Sequence, residues 1–335
     1  MHAGKSYSFK ELTLWTRHCI YRLSLIAIIP TVLYQACGMK WIAIPWTVVA
    51  FLGTATAFIV GFKNTQTYSR TWEARQIWGS ILNSSRSWGV SARDFLNDRD
   101  LSKKMIYRHF AWLTALRYQM REPRTWESMT KGNYIEYAQF YDIPERLSAL
   151  DEELKNYLDP QELQAILRTK NRAAQLLAKQ SEDLKMLADS GKLDNYRFVE
   201  MQKVLRDLYD QQGRSERIKN FPYPRQFATI NTIFVQLFCH LLPFGLLKDF
   251  DKLNETATGI LQGHMVWFVI PFSVLISWVY TALDQIGEST ENPFEGGPND
   301  VPISQMSRTI EIDLREMLGE TELPPALQPK NNIIL

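Results

Sequence analysis

Cysteine is nearly missing from this chain. The 335 residues hold three, Cys19, Cys37 and Cys239, too few and too dispersed for a disulfide framework or a CxxC zinc site. They read as buried or lipid-facing thiols. An excess of one charge is missing too: 38 Lys and Arg against 36 Asp and Glu leave a net +2, which supplies no field for a nucleic acid. No HExxH, GxxxxGKS/T, GxSxG or strand-linked GxGxxG occurs, and His2, His18, His109, His240 and His264 are scattered. Nothing therefore points to an enzyme, a catalytic residue, a metal centre or a cofactor. Alternating-polarity strands are absent, and so is an internal repeat, which removes the inverted-repeat signature of many transporters. The charged lead-in that ends at Arg22 has no A-x-A cleavage site after it. It reads as a cytosolic approach to a retained membrane helix rather than a removed signal peptide.

What is present is segregated. Of the 38 basic residues, 28 lie between Lys63 and Arg225, so the apolar residues gather toward the two ends. Crossing a bilayer takes about 20 mostly apolar residues, and four stretches meet or approach that length: 23–37, 41–62, 227–247 and 265–283. The second holds no ionisable residue. Gly38, Met39 and Lys40 alone separate the first two, which predicts a helical hairpin. Basic residues Lys63, Arg70 and Arg75 follow the second stretch and Arg214, Arg217, Lys219 and Arg225 precede the third. The positive-inside rule then puts both termini and the central block in the cytoplasm. In the third stretch His240 follows Gln236 by one turn and reads as an interhelical hydrogen-bonding pair.

The fold class expected is all-α: a multi-pass membrane protein with four transmembrane helices and a large helical cytosolic region. The expected division is a cytosolic segment 1–22, a first helix pair 23–62, a helical cytosolic domain 63–226, a second pair 227–283 and a cytosolic tail 284–335. Asp159-Pro160-Gln161-Glu162 is a helix start, with Asp159 at the N-cap and proline at the first helical position. In the tail, Ile303, Met306, Ile310, Leu314 and Met317 fall on one face of an amphipathic helix, which is expected to dock on the cytosolic block. Pro324, Pro325 and Pro329 predict an unstructured end.

Thr54, Phe58 and Phe62 recur every four residues and share a face of the second stretch, which Gln66 and Arg70 continue. Taken alone the stripe is ordinary helix packing; repeated around an axis it would make a hydrophobic constriction that gates ions by dewetting. The segment that follows weighs for the second reading. GFKNTQTYSRTWEARQIWG (61–79) resembles the bestrophin family, in particular its bacterial members, and ENPFEGGPND (291–300) resembles that family's NPFG-acidic segment. The resemblance implies a homopentameric ion channel with one axial pore, passing small monovalent ions, either chloride or sodium and potassium. It places Thr54, Phe58 and Phe62 in the pore neck and Tyr223, before Pro224, at the cytosolic aperture.

Two departures from the family pattern bear on mechanism. Vertebrate members carry consecutive acids that form a calcium clasp, whereas here Glu295 and Asp300 are separated by Gly296, Gly297, Pro298 and Asn299. Calcium takes about six to eight oxygens, so these two offer a weak cation contact at most. Thr54 stands where an aliphatic residue is usual, which weakens dewetting there. The partners implied are small monovalent ions, the lipid bilayer and further copies of the chain, with no nucleic acid, in the cell inner (plasma) membrane. The competing reading is a membrane-anchored scaffold or sensor whose helical cytosolic domain binds a partner.

Overall fold

Ser8 and Glu11 start the first helix by reciprocal bonds: the Glu11 N–H reaches Ser8 Oγ at 3.2 Å and the Ser8 N–H reaches Glu11 Oε2 at 2.6 Å. Helix α1 therefore begins at Phe9, well before the apolar run, and spans Phe9–Gln35. The computed structural model describes residues 1–130 and 132–335. After a 3-10 turn at Lys40–Ile42, α2 runs unbroken from Trp46 to Phe95 and so passes through Lys63 without a stop. α3 (Arg99–Arg121) is followed by the short helices α4 (Gly132–Ala138), α5 (Pro144–Leu147), α6 (Leu150–Leu154) and α7 (Pro160–Leu167). Next come α8 (Arg172–Asp189), α9 (Asn195–Asn220), α10 (Arg225–Lys252), α11 (Val269–Ser289) and α12 (Ile303–Met317). Among the described residues there is no strand, only isolated bridges of Ile333 with His2 and Lys330.

Among the described residues, three helical stretches are long and apolar enough to cross a membrane: Lys40–Phe95, Arg225–Glu255 and Met265–Ser289. α1 is not among them. Its apolar half follows Arg17, His18 and Arg22, which leaves a shorter uncharged run than in the other three.

The chain forms two units. The apolar one comprises Lys5–Ser69 and Tyr223–Glu291. Its core joins Leu23, Val49, Val60, Val235, Phe238 and Leu242 from α1, α2 and α10. The absence of a side chain at Gly53 permits close packing here, because a Cβ would stand 2.7 Å from the Phe238 ring.

The polar unit comprises Met1–Gly4, Arg70–Pro222 and Asn292–Leu335. Trp78, Trp88, Phe110 and Trp112 are buried together with leucines of α8 and α9, and the Trp112 indole donates to Gln212 Oε1 at 2.9 Å. Arg108 is buried between Glu162 and Asp183, 2.7 Å from the latter. Asp159 caps α7 as expected by accepting the Glu162 N–H at 2.9 Å, while the Glu162 carboxylate turns to Arg108. The tail helix α12 packs in the same core through Ile303, Ile310 and Leu314, with Met306 and Met317 at its margin. The expected unstructured end is corrected. Ile333, Ile334 and Leu335 are buried, and the Gln305 N–H donates to the Leu335 carbonyl at 2.8 Å. Three consecutive apolar residues beyond the prolines give that segment surface to bury.

Candidate functional site

Helix α2 carries two opposite faces within the apolar unit. Val49, Gly53, Thr56, Val60, Lys63 and Thr67 are buried at alternating spacings of four and three. With about 100° per residue, Thr54, Phe58 and Phe62 lie roughly opposite that stripe. They are exposed: Phe58 is 77% and Phe62 57% accessible in a single chain. Together they line an open groove of about 780 Å³ with Trp46, Phe238, Ile276 and Tyr280. The Thr54 hydroxyl donates to the Ala50 carbonyl at 3.0 Å, which holds it in one rotamer with its oxygen's remaining lone pair free to accept from water.

A polar clamp fixes the rotation of α2 that aims these side chains. Buried Lys63 pairs with Asp284 of α11 at 2.8 Å, and Asn231 of α10 donates to the same Oδ1 at 2.5 Å. Asn64 donates to the Leu283 carbonyl at 3.0 Å and Tyr280 to the Gly53 carbonyl at 3.2 Å. Two helices, α10 and α11, thus hold α2 by its buried face, one residue from Phe62. Sequence reasoning missed this clamp, although Lys63 and Asp284 each stand immediately after an apolar stretch and carry opposite charges. Within the polar unit Arg70 donates to the carbonyls of Ile218 and Phe221, and Trp78 lies 6.4 Å from Phe294. The two stretches that carry the family resemblance therefore pack on each other there.

The other expected site residues sit elsewhere. Tyr223 does not line the groove; it is buried, with its ring 6.5 Å from Phe227. His240 Nδ1 lies 2.7 Å from the Gln236 carbonyl, so the expected interhelical bond is replaced by one within α10. The carbonyl one turn back is the nearest acceptor on an exposed helix face.

Glu295 and Asp300 are both buried in the polar unit. Glu295 accepts the Ser128 N–H at 2.8 Å and its hydroxyl at 2.7 Å, while Asp300 accepts the Gly296 N–H at 2.7 Å and lies 3.3 Å from Arg121. Burial, then the Asp300 charge, pushes the Glu295 carboxyl up to about 8. Burial likewise pushes Asp300 up to about 6 despite Arg121. A carboxyl whose pKa rises on folding binds more protons in the native state. Its stabilisation is complete below the unfolded value and is lost as pH climbs through the folded one. The unfolding midpoint of the polar unit is therefore expected to fall as pH rises from Glu295's ordinary 4.5 to about 8. Glu295→Gln should flatten most of that slope in a differential scanning series. An unaltered slope in the variant would assign the pH dependence to other groups.

Comparison with known proteins places this geometry in a family. A family model described as Bacterial/Fungal Bestrophin protein matches residues 16–316. The voltage-dependent anion channel-forming protein YneE of Salmonella typhi is 30% identical over 306 residues, covering 91% of this chain and 86% of that protein. Its counterpart in Escherichia coli (strain K12) is 28% identical over 312 residues, 92% and 87% of the two chains. A solved structure of a bacterial bestrophin homolog from Klebsiella pneumoniae superposes with a TM-score of 0.75 at 25% identity, over 90% of this chain and 98% of that one.

Proposed function

This chain belongs to the bacterial and fungal bestrophin family, whose members are membrane ion channels and not enzymes, and from that premise we propose that it forms a homopentamer whose axial pore passes small monovalent anions. The observation that carries the reading is the pair of aromatic side chains, Phe58 and Phe62, left exposed on the face of α2 opposite its anchored side. Repeated around an axis, Thr54, Phe58 and Phe62 make a neck of three rings with no fixed charge, where ion passage depends on whether water stays. Thr54 forms the wettest ring. The positive edges of the phenyl rings, when turned to the axis, favour an anion over a cation. Tyr223 is the proposed cytosolic aperture residue, held by Phe227. The anion preference is supported by relatives named anion channel-forming proteins. α1 serves as the fourth span, both termini face the cytoplasm, and the membrane is the cell inner membrane.

Purified protein in liposomes under a NaCl gradient tests this directly. The expected reversal potential lies near the chloride equilibrium potential. Reversal near the sodium potential would make it a cation channel of the same build, and no flux from a correctly inserted protein would favour a membrane-anchored scaffold.

A further inference from the structure

The polar unit holds a cleft of about 360 Å³ where the C-terminal end of α3, the segment around Arg146 and the N-terminus of α8 meet. Its walls carry Arg121, Arg146, Lys170 and Arg172 against only two carboxylates, Glu122 and Glu145. Glu145 is shared between Arg117 at 2.6 Å and Arg121 at 3.5 Å, and Glu122 lies 2.9 Å from Arg124. Among the described residues Lys170 and Arg172 form no ion pair, and Arg146 reaches only the Glu295 carbonyl, at 3.4 Å. The cleft therefore gathers three cations without counter-charges of their own.

Two further observations say what is lacking. The Arg121 side chain is only 2% accessible and lies 3.5 Å from Glu145 and 3.3 Å from Asp300, yet its Nη2 has no hydrogen-bond acceptor among the described residues. Arg172 Nε is a buried donor in the same condition. Buried donors are almost always paired, and with Glu145 Oε2 the one unpaired acceptor of this lining among the described residues, two orphan donors leave room for another. The eighteen-residue helix α8 begins here, and the side chain of its cap Asn171 accepts the Ala174 N–H at 3.0 Å and the Gln212 side-chain amide at 3.3 Å. The first-turn N–H groups of Arg172 and Ala173 remain for an anion at the positive end of the helix.

We propose that this cleft is a binding site for a phosphate-bearing anion of two linked phosphoryl groups, held by Arg146, Lys170 and Arg172, with Arg121 at its buried wall. A halide is matched by one cation. Three unpaired cations, two of them guanidinium forks, suit several phosphoryl oxygens at once. The site stands on residues of the polar unit alone, so it is independent of what the pore conducts.

The test titrates inorganic pyrophosphate into the intact detergent-solubilised protein, in magnesium-free buffer at constant ionic strength, by calorimetry and by thermal shift. Saturable binding of one pyrophosphate per chain, with a stabilisation that added chloride does not give, is expected. Arg146 and Lys170 are exposed, so Arg146→Gln and Lys170→Gln leave the fold intact. Each should weaken binding roughly tenfold or more, and the double variant should abolish it. Geranyl diphosphate run in parallel distinguishes a free anion from a lipid-borne diphosphate by which binds tighter through the same residues. Absence of saturation, or equal binding by the double variant, overturns the proposal.

Discussion

Truncation after Pro302 is expected to unfold the polar unit rather than trim it. Ile303, Ile310 and Leu314 are fully buried there. At about 1.5–3 kcal/mol each as an upper bound, they contribute about 4.5–9 kcal/mol together. That is comparable to the about 5–15 kcal/mol by which a domain exceeds its unfolded state. The loss also strips Glu145 of the Ser304 hydroxyl that donates to it at 2.6 Å. Because a truncation removes much at once, a sharper test uses the contact between α2 and α12. A Cβ on Gly89 would lie 2.2 Å from Leu314 Cδ2, so Gly89→Ala should destabilise by collision. Leu314→Ala should cost about 2–5 kcal/mol by leaving a cavity. Combined, each change relieves the other, and the double variant should be more stable than the sum by about 0.5–3 kcal/mol. Denaturant or thermal unfolding of the four proteins measures the coupling. Strict additivity would mean that α12 does not sit on Gly89 in solution.

The tail helix was legible because its signal is periodic and local: Ile303, Met306, Ile310, Leu314 and Met317 announce a face before any partner is known. The cap at Asp159 and the long apolar stretches were readable for the same reason. Other features were hidden by the rule used to read them. Ser8-Phe9-Lys10-Glu11 is a capping box in plain sight, but the charge that follows it reads as a lead-in to the membrane, so the start of α1 is displaced. Lys63 looks like the end of a span because a lysine normally ends one. Its ammonium instead turns inward to Asp284, and α2 continues to Phe95. The burial of Glu295 and Asp300 has no local signature, since Gly296, Gly297 and Pro298 between them read as an exposed bend. The convergence of Arg121, Arg146 and Arg172 depends on how three separate helical segments meet, and spacing along the chain carries no trace of it. The neck residues are an intermediate case: their shared face is read from a period of four, but which way the face points depends on the clamp.

Phe58→Ala with Phe62→Ala is expected to raise ion flux on the order of tenfold, equivalent to lowering the passage barrier by about 1.4 kcal/mol. The two faces of α2 have different tasks. Val60 and Lys63 are buried and anchor the helix, so replacing them would report on stability. Phe58 and Phe62 are the exposed side, and alanine there leaves the packing of each protomer unchanged while removing two apolar rings from the proposed constriction. A wider, wetter neck passes ions more readily. Thr54→Ile should act in the opposite direction, since an aliphatic ring replaces the one position with a hydroxyl, and the triple combination should fall between the two. Flux in liposomes at matched protein density measures this, with oligomer size checked by light scattering for every variant. Val60→Ala serves as the control: it should lower the melting temperature and leave conductance per channel alone. If the double phenylalanine variant assembles normally and conducts as the unaltered protein does, with the same selectivity, then these side chains face lipid or a neighbouring helix and the pore must run along another surface.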